Sequence, residues 1–276
     1  MSEFWKRTLS GAVYVAVVVS SILVHEVLFL ALSIVLALLA VREYNQLTHP
    51  HCATDVLSEL SAVLCVFPCT LAFLYPHSCS MYALLTLLLP LAVLIAQLWD
   101  KENNPILQWG HFLVAQIMIA LPFALMNVLL HIDPYLLLAV FVLIWVNDSF
   151  AYCVGVLTAK LPGGNHKMFP RVSPKKSWEG LFGGLAFTIG AAFIMNRFGW
   201  FDAITREGFE LLIAGGFAFL VSAFGTLGDL MESLFKRTIG VKDSGKFMPG
   251  HGGVLDRFDS ILLAAPVVLL FVMMLI

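Results

Sequence analysis

The chain has 276 residues, of which 60% are hydrophobic and only 12% are charged, with a formal net charge of −2. Soluble domains carry about 25% charged residues, so this composition excludes an ordinary soluble globular protein and points to a bilayer. With no basic excess, a nucleic-acid partner is not expected.

Apolar runs close to the roughly 20 residues that cross about 30 Å of hydrocarbon predict helices at 8–25, 27–44, 56–75, 80–99, 109–130, 134–157, 177–198, 208–233 and 253–276. The expected fold class is all-α: a polytopic integral membrane protein with about nine transmembrane helices. Tyr75, Pro76 and His77 divide the double-length run Leu60–Trp99 into two of these spans. With the N-terminus cytoplasmic, the alternation places 14 of the 16 Lys and Arg residues inside, leaving Arg197 and Arg206 outside. That is the positive-inside pattern, and it puts the C-terminus outside. Lys6 and Arg7 before an apolar run also suit a signal peptide, but no small-x-small cleavage site precedes the second helix.

Residues 1–132 carry few intramembrane polar groups and read as scaffold. His49, His51 and Cys52 share one polar loop with no second ligand pair at a metal-binding spacing. The five cysteines form no C-x-x-C pair, which favours buried apolar thiols over a disulfide framework. The character changes in 133–276, the expected catalytic region of a single membrane domain. The sixth span carries Asn147 and Asp148, and the seventh opens with Trp178 and Glu179. The eighth ends in Asp229 and Glu232, and the ninth begins with Asp256, Arg257 and Asp259. Two cytoplasmic loops join them. Loop 158–176 contains Pro162, Gly163, Gly164, Pro170 and Pro174, which interrupt helix and sheet, among Lys160, Lys167, Arg171, Lys175 and Lys176. Loop 234–252 carries Lys236, Arg237, Lys242 and Lys246 among glycines whose bare backbone permits close approach to phosphate.

Asp229 and Glu232 stand three apart, as do Asp256 and Asp259, so on helices each pair shares a face. Carboxylates converging from two helix ends suit Mg²⁺, which takes one or two protein carboxylates plus water and phosphate oxygens. The plainer alternative is a set of interfacial ion pairs with neighbouring Lys and Arg. Ser173 and Lys175 precede a helix whose N-terminus itself attracts an anion. The Gly-x-x-Gly-Gly spacing at Gly180–Gly184 suits close helix packing. A transporter with a cytoplasm-facing cation site also fits buried acids, although the charged set lies toward one face only.

Three blocks carry a more specific signal: NDSFAYCVG at Asn147–Gly155, SPKKSWEG at Ser173–Gly180, and SLFKRTIGVKDSGKFMPGHGGVLDRFDS at Ser233–Ser260. The last resembles, end to end, the signature of the phosphatidate cytidylyltransferases (CDP-diacylglycerol synthases), with Lys-Arg, Lys-Asp, His-Gly-Gly and Asp-Arg-x-Asp in that order. The resemblance implies a nucleotidyltransferase of phospholipid biosynthesis that converts phosphatidate and CTP to CDP-diacylglycerol and pyrophosphate. It implies a multi-pass protein of the cell membrane, the inner membrane in a bacterium, with the site facing the cytoplasm. It also implies Mg²⁺, a monovalent cation such as K⁺ nearby, and a homodimer. Carried onto this sequence, Asp229 and Asp256 are the first choices for metal ligands, followed by Asp148, Glu232 and Asp259. Lys242 and Arg257 join Asp229 and Asp256 as catalytic candidates. Lys236, Arg237, Lys242, Lys246 and Arg257 are assigned to the triphosphate, and Ser173, Lys175 and Lys176 to the phosphatidate head. His251, Gly252 and Gly253 shape the turn or meet a phosphate. A CTP-dependent lipid kinase stays open as a neighbouring chemistry. The Asp-Gly then Ala-Arg arrangement of CDP-alcohol phosphotransferases has no match here.

Overall fold

The structure, a computed structural model, describes residues 3–48, 55–74, 79–99, 104–245 and 252–276. Helix dominates them because apolar side chains in lipid leave the backbone no water to bond to, so each segment satisfies its own amides. The chain forms two compact units, Met1–His131 with Asp243–Phe258, and Ile132–Lys242 with Asp259–Ile276.

The first unit contains α1 (Glu3–Val24), α2 (Glu26–Thr48), α3 (Asp55–Leu74) and α4 (Cys79–Ala96), the last closing in a 3₁₀ turn at Gln97–Trp99. A single residue separates α1 from α2. That residue, His25, accepts the Val27 amide on its Nδ1 at 3.1 Å and so caps α2. The span expected at 109–130 begins earlier and is not uniform. It comprises α5 (Pro105–Val114), a π-helical turn (Ala115–Ala120) and α6 (Leu121–Ile132). Asn104 accepts the Ile106 amide at 3.0 Å, and Pro105 takes the first helical position where its missing N–H costs nothing. The π turn carries Gln116, whose Nε2 donates to the Ser58 carbonyl at 3.3 Å. Phe258 is fully buried, 5.3 Å from the Phe123 ring and edge-on to Tyr14 at 5.7 Å.

The second unit contains α7 (Pro134–Thr158), β1 (Lys167–Phe169), β2 (Ser173–Ser177), α8 (Trp178–Arg197), α9 (Glu210–Thr238) and, after its first turn, α10 (Leu255–Leu275). Asp133 caps α7 by accepting the Tyr135 amide at 2.7 Å, with Pro134 at its first position. The hairpin corrects the expectation that loop 158–176 is free of sheet. Lys167 pairs with Ser177 and Phe169 with Ser173, and the register shifts between them. Pro174 is tolerated because a two-stranded ribbon consists of edge strands only. Gly163 and Gly164, with φ of 96° and 68°, turn the chain into it.

Glycines set the helix separations in this unit, as the Gly-x-x-Gly-Gly spacing suggests. A Cβ on Gly180 would lie 2.7 Å from the Ala151 carbonyl, and one on Gly183 would lie 2.6 Å from both Val154 methyls, so α8 rests directly on α7. A Cβ on Gly228 in α9 would lie 2.5 Å from the Asp259 carbonyl of α10. Among the described residues, six helices are long and apolar enough to cross a membrane: α2, α5 to α6 taken together, α7, α8, α9 and α10. Thr8–Val24, Val56–Leu71 and Pro90–Trp99 are shorter apolar stretches. Leu212, Phe182 and Met274 are among many large apolar side chains left exposed, as lipid-facing positions are.

Gly228→Ala is expected to lower stability by about 1–3 kcal/mol, the usual cost of forcing a methyl into a packed interface. Gly190→Ala in α8, where a Cβ meets nothing within 4 Å, should be neutral or slightly stabilising. Thermal unfolding of both variants in detergent checks the contrast.

Candidate functional site

In the second unit a cavity of about 350 Å³ opens between α7, α8, α9 and β2. Asn147 and Asp148 of α7, Ser173, Lys175 and Lys176 of β2, and Thr226 and Asp229 of α9 supply its polar lining. Ala151, Tyr152, Met168 and Leu181 supply the apolar part. Two blocks far apart in sequence, the Asn-Asp pair and Ser-Pro-Lys-Lys, therefore face one space together with an aspartate from a third element.

Local structure explains how each group is held. The Ser177 hydroxyl accepts the Gly180 amide at 3.2 Å and caps α8. The Trp178 amide bonds to the His166 carbonyl at 2.9 Å, tying β2 and α8 to the start of the hairpin. Glu179 completes the tie by accepting the His166 amide at 3.0 Å and pairing with His166 Nδ1 at 2.6 Å. From this anchored strand Lys176 reaches α9, where its Nζ lies 2.7 Å from Asp229 Oδ2 and 3.5 Å from the Thr226 carbonyl. The Ser233 hydroxyl donates to Asp229 Oδ1 at 3.2 Å. Asn147 is buried and accepts from the Ser222 hydroxyl at 2.6 Å, locking α7 to α9 beside Asp148.

The charge balance of this region is uneven. Asp148 is acted on by the charges of Asp229 and Lys176, and Asp259 by those of Asp229 and Asp148. Three carboxylates from three helices thus act on one another, and Lys176 serves two of them, paired with Asp229 and acting on Asp148. Lys236 acts on Asp259 as well, but it is itself buried and paired with Glu232 at 2.5 Å. Among the described residues, no three His, Cys, Asp or Glu side chains are already gathered at metal-holding positions. The donor chemistry nonetheless suits Mg²⁺, a hard cation that needs only one or two protein carboxylates and draws its remaining oxygens from water and phosphate.

The first unit holds the glycine-rich block. Asp256 turns its Oδ2 to two backbone amides, Ser244 at 2.9 Å and Gly253 at 2.8 Å, so this carboxylate organises the turn it stands in. Gly252, with φ of 83°, supplies the left-handed residue of that turn. A second carboxylate meets the same segment, and sequence reasoning missed it. Glu43 of α2 is buried and accepts from the Val254 amide at 2.9 Å, the Leu255 amide at 3.0 Å and the Ser244 hydroxyl at 3.1 Å. The amides of Gly253, Val254 and Leu255, which a glycine-rich turn could offer to phosphate, are given to protein carboxylates instead.

The other candidates are distributed as follows. Arg257 is exposed in the first turn of α10, and Lys242 is exposed just after α9. Arg237 is exposed and donates to the Val241 carbonyl at 3.2 Å. Lys236 faces inward to Glu232, as described above. Lys246 and His251 lie outside the described residues, as do His49, His51 and Cys52.

The chain matches the sequence model described as the Cytidylyltransferase family across residues 5–275. It is similar to a phosphatidate cytidylyltransferase of Haemophilus influenzae, 34% identical over 288 residues that cover 95% of this chain and 96% of the relative. It is also similar to phosphatidate cytidylyltransferases of Staphylococcus epidermidis and Staphylococcus aureus. These are 44% and 42% identical over 132 residues, covering 48% of this chain and 46% of each relative.

Lys176 is the partner whose loss should be felt most. Its pair with Asp229 is roughly three-quarters buried, at 25% and 30% side-chain exposure. Lys176→Met removes the cation and leaves the aspartates facing one another, which is expected to cost about 1–3 kcal/mol, between the values for surface and fully buried pairs. Thermal unfolding checks this, and Lys175→Met at the exposed rim is the control expected to shift little.

Proposed function

The chain belongs to the cytidylyltransferase family, and from that premise we propose that it transfers the cytidylyl group of CTP to phosphatidate, giving CDP-diacylglycerol and pyrophosphate. The observation that carries the proposal is the cavity in which Lys175, Lys176 and Ser173 stand beside Asp148 and Asp229. Phosphate-seeking cations and acids able to hold a divalent cation occupy one space, on a helix bundle apolar enough to hold the lipid's tails outside it.

The chemistry asks little of a base. The second pKa of a phosphate monoester is about 6, so phosphatidate at neutral pH presents a deprotonated oxygen. That oxygen attacks the α-phosphorus of CTP, the bond from this phosphorus to the bridging oxygen breaks, and pyrophosphate leaves. The protein's task is to position the reactants and to neutralise charge. Ser173 and Lys175, with the Lys176 ammonium, receive the lipid phosphate. Asp229 holds Lys176 in place, and Asn147 fixes the segment of α7 that carries Asp148. A Mg²⁺ ion held by one or two of Asp148, Asp229 and Asp259 would supply further charge neutralisation to the triphosphate. A monovalent cation in the same neighbourhood would act in the same sense.

The site faces the cytoplasm in this reading, since CTP is a cytoplasmic solute and the hairpin loop carries five of the basic residues. In the second unit the loop after α7 and the loop after α8 follow successive spans, so they emerge on opposite sides of the bilayer. A cysteine at Leu161, on a cysteine-free background, is expected to react with an impermeant thiol reagent only from the cytoplasm, and one at Ala203 only from outside. The opposite labelling would move the site to the other face.

Purified protein incubated with phosphatidate, Mg²⁺ and each nucleoside triphosphate in turn is expected to form a product of CDP-diacylglycerol mass from CTP alone. A phosphorylated lipid with CDP released would instead identify a CTP-dependent kinase. Asp229→Asn is expected to lower kcat by about 100-fold or more, the scale of losing one electrostatic element of the charge-neutralising site, since the cations it holds would be misplaced. An Asp229→Asn enzyme of near-normal rate would remove this residue from the chemistry.

A further inference from the structure

Glu43 stands in a helix that the family motifs do not touch, yet it makes three hydrogen bonds to described residues of the glycine-rich block. Its Oε1 accepts the Val254 amide, and its Oε2 accepts both the Leu255 amide and the Ser244 hydroxyl. No described Lys, Arg or His pairs with it. A buried carboxylate without a counter-ion is retained only where hydrogen-bond donors replace its water. Here all three donors come from one segment. A single side chain therefore ties Ser244 and Val254–Leu255 to α2. Asp256 repeats the tie from within, joining the Ser244 and Gly253 amides.

The glycines on either side record the same constraint. A Cβ on Gly245 would lie 2.5 Å from Glu43 Oε1, and one on Gly253 would collide with the Glu43 carboxylate and the Ser244 hydroxyl. These two positions are glycine because Glu43 fills the space that a side chain would need. Sequence reading assigns such glycines to phosphate. In the structure their neighbour is an acid, which would repel it.

We infer that Glu43 is a positioning residue for the proposed cytidylyl transfer: by holding Ser244, Val254 and Leu255 together it fixes the first turn of α10, and with it the orientation of Asp256 and Arg257. The inference rests on the CTP-dependent reading above. It assigns Glu43 to the nucleotide half of the reaction, because every residue it holds belongs to the block implied to handle the triphosphate. The lipid-phosphate candidates Ser173, Lys175 and Lys176 lie in the other unit.

The carboxylate is required rather than its shape. In Glu43→Gln one terminal oxygen becomes an NH₂ group, which must face at least one donor among Val254 N–H, Leu255 N–H and the Ser244 hydroxyl, so one end of the clamp opens. The variant is expected to raise the KM for CTP by about 10-fold and to lower kcat by a similar factor, with the KM for phosphatidate within about twofold of wild type. Ser244→Ala keeps the carboxylate and removes one donor, and should move the CTP KM in the same direction by about two- to fivefold. Amide hydrogen exchange at Val254 and Leu255 is expected to accelerate in Glu43→Gln while the amides of α7 stay as protected as in wild type.

A loss of folded molecules lowers the apparent kcat and leaves both KM values unchanged. That pattern in Glu43→Gln, or unchanged exchange at Val254 and Leu255, would overturn the inference. If Glu43→Gln cannot be purified folded, Ser244→Ala with an unchanged CTP KM overturns it equally. Faster exchange in Glu43→Gln, combined with a wild-type enzyme that makes no CDP-diacylglycerol from CTP, would retain the clamp and sink both the functional reading and the role drawn from it.

Discussion

The Lys176 ammonium, 2.7 Å from Asp229, is the contact on which the polar centre of the second unit depends. Asp148, Asp229 and Asp259 come from three apolar helices and act on one another. Without a cation they would favour separation or neutralisation, because neighbouring like charges repel. Lys176 reaches Asp229 from a strand pinned at both ends, by the hairpin register and by the Ser177 cap of α8. The hairpin is therefore a device for delivering a cation to a depth that a loose loop would not hold.

Close helix packing serves the same end. The glycines at 180, 183 and 184 bring α8 directly onto α7, and Gly228 brings α9 onto the Asp259 turn of α10. In a bilayer such contacts have no hydrophobic driving force of their own and rely on dispersion and hydrogen bonding. The buried Asn147, held by Ser222, adds a directional bond at the level where Asp148 must be placed. Packing and chemistry are thus not separable here: the residues that let the helices touch also set how near the carboxylates stand.

The first unit solves a related problem by different means. Glu43 and Asp256 are satisfied by backbone amides rather than by basic side chains. An acid held in this way fixes the path of the main chain, since each amide it accepts has one direction. For an enzyme whose catalysis is mostly positioning, a rigid turn bearing Arg257 and Asp256 is worth more than a flexible loop with the same charges. Cations of one motif are placed differently, Arg257 exposed and Lys236 turned inward.

Much of this was legible in the sequence by itself. Apolar length determined that the chain is helical and membrane-embedded, because a helix in lipid is specified by its own residues and needs no distant partner. The glycine spacing that packs α8 was readable too, whereas the Asn104–Pro105 start of α5 was not, since the apolar run placed that span at 109. The polar blocks pointed to Asp148, Ser173, Lys175, Lys176 and Asp229, and these do line one cavity. What only the tertiary structure decided was which acid meets which donor. The Ser-Pro-Lys-Lys block became a strand because a second strand was there to pair with it. Lys236 turned inward because Glu232, one helical turn before it, is buried on the same face. Glu43 is bonded to residues more than 200 positions away, and nothing beside it in α2 marks it as different from an interfacial charge. A carboxylate's role follows from the donors that reach it, and over such separations the fold alone brings them together.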